Sequence, residues 1–298
     1  MKHNVQFTLA YEGKDADRHE IDLYDISQAL VGFQRSIALT THLVINNKII
    51  TQAPSLKGAK VLALPAEDGS WKITAGVVLT GIYALGTTSN DSPIGHMVYS
   101  LYDYVMSESL GVHVDYQKSL GKLYEESESK EITLPRIEQH QADSLLEKCS
   151  VAIKEIHRPI YKTKTASKAS IISNVQGVHT PLRVQLTQDT YDYIHEVFVQ
   201  EDPEIIRGRI SSYNSNTFKG RIYVAKEGRP ISFELSKNAR SENSLKLIIA
   251  SLSAYVHKDF ENQWCDIYCI VYKNTSRSGQ LKSYTITTVS HNEPNEPR

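Results

Sequence analysis

The chain of 298 residues is poor in cysteine. Cys149, Cys265 and Cys269 are too few and too unevenly spaced for a disulfide framework. None of them forms the C-x-x-C pair of a zinc or thioredoxin site. A reducing compartment fits this pattern best, so we expect a cytoplasmic protein.

Net charge and long apolar runs are also lacking. With 33 basic and 34 acidic residues, the formal charge is -1. A strongly basic protein binds polyphosphates nonspecifically, and this charge balance argues against such binding. The longest apolar run, residues 73–86, has about 14 residues, short of the ~20 that span a bilayer. The amino terminus alternates like a strand and lacks the apolar region of a signal peptide. We therefore expect no membrane partner, and nucleic-acid binding only through a local patch.

Complete catalytic motifs are missing as well. The sequence contains neither G-x-x-x-x-G-K-[ST] nor G-x-G-x-x-G, and no recognisable catalytic triad. These absences favour a protein without catalysis and without a cofactor.

The first half of the chain has the periodicity of mixed strands and helices. Apolar residues alternate from Val5 to Tyr11, and Ile26, Leu30, Phe33 and Ile37 share one helical face. Further patterns predict strands over 60–64 and 71–79 and helices after Pro93 and after Pro135. We expect an α+β fold with an N-terminal domain of mixed strands and helices over residues 1–160.

The second half is richer in strands. Residues 181–291 predict three close strands, a helix and two more strands, which is the order of an OB-fold, so an OB-like small barrel is expected here. Residues 161–180 are basic and rich in Thr, Ser and Ala, which indicates a linker or a basic loop. The tail, residues 292–298, is expected to be disordered.

A basic and aromatic strand face is the strongest candidate site. The two-residue period places six side chains on one face of the hairpin 207–225 and apolar residues on the other. The six are Arg207, Arg209, Tyr213, Lys219, Arg221 and Tyr223. Guanidinium groups grip phosphate and aromatic rings stack on bases, so the pattern predicts binding of single-stranded nucleic acid or a nucleotide. A charged solvent-exposed strand face, with Glu234 pairing one arginine, explains the same residues.

An acidic loop before the first helix is the candidate metal site. Asp17, His19 and Asp22 carry ligand types that divalent ions prefer, and they would serve a metal-dependent nuclease or hydrolase. The spacing matches no known metal motif, and helix capping explains the same acids.

The chain has 17 Tyr against 6 Phe. Such an excess is typical of half-buried rings that keep a polar tip at a surface or interface. A third hypothesis is therefore an interaction subunit, which forms a homo-oligomer or binds a partner protein partly through the run 73–86.

Three short stretches carry a resemblance. The residues 10–13 (AYEG), 16–22 (ADRHEID) and 69–73 (GSWKI) resemble a family of uncharacterised bacterial proteins, a domain of unknown function. Members of that family tend to look like mobile-element or phage-defence genes. The resemblance implies a bacterial, cytoplasmic setting, with a role in antiviral defence, and it brings no functional residues.

Overall fold

The structure is a computed structural model that describes residues 5–50, 56–64, 71–80, 93–116, 120, 123–125, 134–195, 197–275 and 281–294. The described residues form two compact units. Unit 1 contains the residues up to Glu138 together with 145–194, and unit 2 contains 139–144 together with the residues from His195 onward. The predicted α+β class is confirmed, because strands and helices occur in both units.

Unit 1 is built on a five-stranded antiparallel sheet. Its strands are β1 Val5–Glu12, β2 Ala59–Leu64, β3 Lys72–Leu79, β4 Lys168–Val175 and β5 Val178–Pro181. They lie in the order β2, β3, β1, β4, β5. The predicted alternation of the first strand is confirmed, since the side chains of Val5, Phe7, Leu9 and Tyr11 are all buried.

Helices accompany this sheet. They are α1 Leu23–Asn46, α2 Pro93–Ser109, α3 Gln139–Ile156, α4 Arg158–Tyr161 and α5 Gln188–His195. The first six residues of α3 belong to unit 2 and the rest to unit 1. Helix α1 begins because the Asp22 carboxylate accepts a hydrogen bond from the Asp25 N–H at 2.9 Å. It contains the predicted helical face of Ile26, Leu30, Phe33 and Ile37 and ends at Asn46.

Residues 161–180 are not a linker. Most of them form β4 and β5, and β4 pairs along its length with the central strand β1. Ala169, Ile171 and Val175 are buried in alternation, and Lys168 pairs with Glu12 at 3.1 Å. The alternation is built from small and polar residues, so its hydrophobic signal is weak although the strand is internal. After residues 139–144, the chain enters unit 2 for the second time at His195.

The apolar run 73–86 is described only in part. Its first residues lie in β3, where residues 74–79 are buried between β1 and β2, as expected of a core strand. Residues 81–86, and residues 295–298 of the predicted tail, lie outside the described residues. Within the described residues, no helix combines the length and the apolar character needed to cross a membrane.

Unit 2 is a closed five-stranded barrel. Its elements are β6 Phe198–Val199, β7 Glu204–Asn214, β8 Lys219–Val224, β9 Arg229–Leu235, α6 Glu242–Val256, β10 Ile267–Thr275 and β11 Leu281–Ser290. Strands β7, β8 and β9 pair antiparallel in sequence, β9 pairs parallel with β11, and β11 and β7 both pair with β10. This closure, with α6 between the third and fourth barrel strands, confirms the predicted OB-like barrel.

The barrel is filled by the inward side chains of all five strands. Ile210, Ile222, Ile231, Ile267 and Ile286 are fully buried there. The helix α6 begins at Ser241, whose hydroxyl accepts from the Ser244 N–H at 3.2 Å. Its Ser251 hydroxyl accepts from the Ile210 N–H at 2.9 Å and donates to the Cys265 carbonyl at 2.5 Å, which joins the helix to β7 and to the start of β10.

Candidate nucleic-acid interface

Most of the predicted basic and aromatic residues lie on the outer face of the barrel. Residues directly opposite each other in an antiparallel pair share a face. Arg209 lies opposite Tyr223, whereas their neighbours Ile210 and Ile222 form the next pair and point into the core. Arg207 and Arg221, each two residues from this outer pair, continue the alternation along β7 and β8.

Tyr213 lies on the other face. The pairing of β7 with β8 shifts by one residue between Ile210 and Ser212, which is a β-bulge. Beyond the bulge Tyr213 lies opposite Gly220, packs against the barrel core and stacks on Phe233 with ring centroids 6.3 Å apart. The prediction that Tyr213 shares a face with the arginines is therefore wrong, because the extra residue reverses the alternation.

Arg221 is engaged inside unit 2. Its Nε lies 3.2 Å from the carboxylate of Asp143, and only 11% of its side chain is exposed. Its guanidinium also donates to the Pro230 carbonyl at 2.8 Å. Asp143 in turn accepts a hydrogen bond from the Ser211 hydroxyl at 2.8 Å. These contacts hold Arg221 against the protein, so its guanidinium is not part of the accessible face.

Lys219 is exposed at the far end of β8. It lies opposite Glu234 on β9 and pairs with its carboxylate at 3.4 Å, with about half of each side chain exposed. The alternative predicted that Glu234 pairs with an arginine of the hairpin. Instead Glu234 pairs with Lys219, and the arginine near it, Arg240 at 4.0 Å, lies outside the hairpin. Four residues, or about 13 Å, separate Lys219 from Tyr223 along the strand.

Arg207 and Arg209 form the centre of the remaining face. They share one carboxylate, because Asp266 lies 3.2 Å from the guanidinium of each. The Arg207 side chain is 62% exposed and that of Arg209 is 26% exposed. Two cations facing one anion leave a local excess of positive charge, which is the condition for holding an additional anion.

Aromatic rings surround these two arginines. The guanidinium carbon of Arg209 lies 4.9 Å from the ring centroid of Phe260 and 5.6 Å from that of Tyr223. That of Arg207 lies 5.8 Å from the ring of Tyr268. Phe260 is 52% exposed, so its ring is open to solvent. Each of these distances is within the range of a cation–π interaction.

Asp266, Tyr268 and Phe260 were not among the predicted site residues. Asp266 and Tyr268 are two residues apart, and Tyr268 lies directly opposite Arg207 where β10 pairs with β7. The pairing of the first and fourth barrel strands follows from the OB-fold order. The alternation of the segment 265–269 (CDIYC) was therefore the signal that could have identified two of them.

A cleft adjoins the arginine pair. It has a volume of about 370 Å³ and is lined by parts of β7 and β8, by the turn 225–227, and by Asp266 and Tyr284. The pairing of β7 with β8 begins at Gly208 opposite Val224, so residues 204–207 have no partner on β8. The cleft lies beside this start of β7, which pairs with β10 but not with β8. Its size is in the range of small-molecule sites.

The acidic loop of unit 1 is organised around its own backbone. Asp17 accepts from the Gly13 N–H at 2.7 Å, and Asp22 caps helix α1. His19 has φ 65° at the end of a short 3₁₀ turn and lines, with Asp22, an open cavity of about 530 Å³. Across the residues that the structure describes, no group of three or more His, Cys, Asp or Glu side chains is arranged to hold a metal ion. Helix capping accounts for the carboxylate of Asp22, and a backbone hydrogen bond within the loop accounts for that of Asp17.

The fold and its surface define a two-unit α+β protein whose second unit is an OB-like barrel with a basic and aromatic outer face. The chain belongs to the family DUF7946, described as a domain of unknown function, whose model matches residues 7–195. A second model, DUF7947, described as a family of unknown function, matches residues 202–290. The predicted resemblance to a family of unknown function is thus confirmed. No curated protein and no solved structure matches the chain.

Proposed function

We propose that this protein binds single-stranded nucleic acid or a nucleotide, without catalysis, on the outer face formed by Arg207, Arg209, Tyr223, Tyr268 and Phe260. The observation that carries the proposal is the arginine pair that shares the single carboxylate of Asp266. We refer to these five residues as the arginine face.

The chemistry of the arginine face suits a phosphate next to a base. Each guanidinium offers several N–H donors in a planar fork, and one carboxylate engages only part of them. A phosphate oxygen can therefore add to Arg207 without displacing Asp266, since most of the Arg207 side chain is exposed. The rings of Phe260 and Tyr223 then lie where a neighbouring base can stack, a contact that tolerates any base.

The test is fluorescence anisotropy of labelled single-stranded DNA and RNA at two salt concentrations. The double variant Arg207→Ala with Arg209→Ala is expected to weaken binding at least about tenfold and to lower the salt slope by about 1.4, as for two lost phosphate contacts. The matched control is Lys237→Ala with Lys246→Ala, which removes two other exposed cations of unit 2. Its expected effect on affinity is less than twofold.

A single aromatic variant tests the stacking part. Phe260→Ala removes an exposed ring and no charge, so it should weaken binding while leaving the salt slope unchanged. The proposal fails if neither oligonucleotide binds, or if the arginine double variant binds as tightly as the unchanged protein.

The cellular setting belongs to the same proposal. Cys149, Cys265 and Cys269 are free and buried, which supports a reducing compartment, the cytoplasm. A bacterial origin and a role in antiviral defence rest on the family resemblance. Homo-oligomerisation and a partner protein are further expectations, and mass photometry on the samples used for binding tests the former.

A further inference from the structure

The cleft beside the arginine face contains a buried hydroxyl group that lacks a partner. Tyr284, on β11, is 1% exposed and lines the cleft. Within the described part of the chain, its hydroxyl oxygen has no hydrogen-bond partner. Buried hydroxyls are nearly always hydrogen-bonded, so an unsatisfied one at a cavity wall indicates a place for a ligand group.

A carboxylate accompanies this hydroxyl. Glu227, in the turn between β8 and β9, lines the same cleft and is half-buried. Burial, and then the charges of Glu227 and Glu204, raise the pKa of Tyr284, so its hydroxyl stays neutral and can donate. Glu204 is already paired with Lys273 at 2.7 Å. Glu227 therefore supplies the acceptor that is open to a ligand.

The cleft lining carries two sets of charged side chains: Arg207, Arg209 and Asp266 at the outer face, and Lys226 and Glu227 in the turn. Arg207 and Arg209 lie on the outer face of β7, whereas Glu227 lies in the turn and Tyr284 inside the barrel. A ligand that fits these groups has an anionic end for the arginines and a planar end with N–H donors for Glu227 and a carbonyl acceptor for the Tyr284 hydroxyl.

We propose that the cleft binds the base of a guanine nucleotide, with the Glu227 carboxylate accepting from the N1–H and the amino group and the Tyr284 hydroxyl donating to O6. This assignment rests on the proposed function, because Arg207 and Arg209 supply the phosphate contact. Guanine suits the pair since it presents two adjacent N–H donors to one carboxylate, next to a carbonyl oxygen. Adenine, cytosine and uracil do not present that set of groups.

The test is competition against a labelled single-stranded oligonucleotide by GMP, AMP, CMP, UMP and ribose 5-phosphate. GMP should compete at least about tenfold better than ribose 5-phosphate or the other nucleotides. Tyr284→Phe and Glu227→Gln should each reduce GMP to the level of AMP and leave competition by ribose 5-phosphate unchanged. The control Glu242→Gln, on the exposed start of α6, should keep the preference for GMP.

Failure of this inference is distinguishable from failure of the proposed function. Equal competition by GMP and ribose 5-phosphate, or a guanine preference retained in either variant, overturns the base assignment while the arginine variants still decide the arginine face. If no oligonucleotide binds, the proposed function fails, and titration calorimetry with GMP alone then tests the guanine site. Heat of binding that Glu227→Gln abolishes supports the guanine site. Absence of any heat of binding overturns it.

Discussion

The carboxylate of Asp143 lies 3.2 Å from Nε of Arg221, and none of the Asp143 side chain is exposed. Strands two and three of an OB-fold, here β8 and β9, usually carry the ligand on their outer face. In this barrel the carboxylate of Asp143, from the first turns of α3, covers the outer face of β8 at Arg221. The exposed arginines lie instead on β7, next to β10, which is where we place the arginine face.

This buried pair should be important for the stability of unit 2. Asp143→Ala and Arg221→Ala should each lower the free energy of unfolding by about 3–5 kcal/mol, because each leaves a buried charge without its partner. The double variant should lose less than the sum of the two. Urea unfolding, followed by the fluorescence of Trp264 in a Trp71→Phe background, measures the unfolding free energy of unit 2 in each variant.

An exposed ion pair provides the control. Removing Glu242 and Lys246, which pair on the surface of α6, should cost less than about 1 kcal/mol. If Asp143→Ala cost no more than that, the pair would not be a stabilising contact.

Two buried tyrosines should respond in opposite directions to loss of the hydroxyl. Tyr284→Phe should raise the unfolding free energy of the ligand-free protein by about 1 kcal/mol, since it removes an unsatisfied buried hydroxyl. Tyr11→Phe should lower it by about 1–2 kcal/mol, because the Tyr11 hydroxyl donates to the Ile156 carbonyl at 2.6 Å. Differential scanning calorimetry of both variants checks the sign, and a loss of stability in Tyr284→Phe would mean that its hydroxyl is satisfied.

Gly220 is required by the close packing beside the β-bulge. A Cβ at this position would overlap the carbonyl oxygen of Ser212 and lie 2.8 Å from the ring of Phe233. Gly220→Ala should therefore lower the unfolding free energy by about 2 kcal/mol or more.

The matched control for Gly220 is Gly228→Ala. Gly228 has φ 66° but open space around it, so only backbone strain of about 1 kcal/mol is expected. Chemical denaturation compares the two variants, and equal losses would contradict the steric explanation.

Asp103 should make the stability of unit 1 depend on pH. Burial raises the pKa of its carboxyl from the ordinary 3.8, although the backbone N–H and the guanidinium of Arg183 oppose the shift. The folded state then holds the proton more tightly than the unfolded chain. The stabilisation by the neutral form is therefore present below pH 3.8 and is lost as the pH rises through the raised pKa.

Asp103→Asn should remove this dependence. The melting temperature of unit 1, measured by calorimetry at rising pH, should fall less steeply in the variant than in the unchanged protein. Parallel pH profiles for the two proteins would show that the carboxyl does not titrate in this window.

Local periodicity predicted most of the fold. The alternation from Val5 to Tyr11 and the order of three strands, a helix and two strands follow directly from which residues are apolar. The strand β4 was missed, since its buried Ala169 and its polar residues give a weak alternation and its burial comes from pairing with the distant β1.

The candidate site could be predicted only in part. Alternation placed Arg207 and Arg209 on one outer face, and it misplaced Tyr213 because a bulge has no signature in the pattern. The ion pair between Arg221 and Asp143 could not be predicted, because 78 positions separate the two residues in the chain.

The sequence by itself determined the fold class and the OB-like order of strands. It also determined which side chains of β7 point outward, as far as the bulge after Ile210. These properties depend on neighbours two to four residues apart. Only the tertiary structure decided which cations are exposed and which are paired. It also brought Asp266 and Phe260 to Arg209 and left the Tyr284 hydroxyl unsatisfied beside a cleft. Those properties depend on contacts between strands that are distant in the sequence. Closure of the barrel brings these strands together, and local propensity does not.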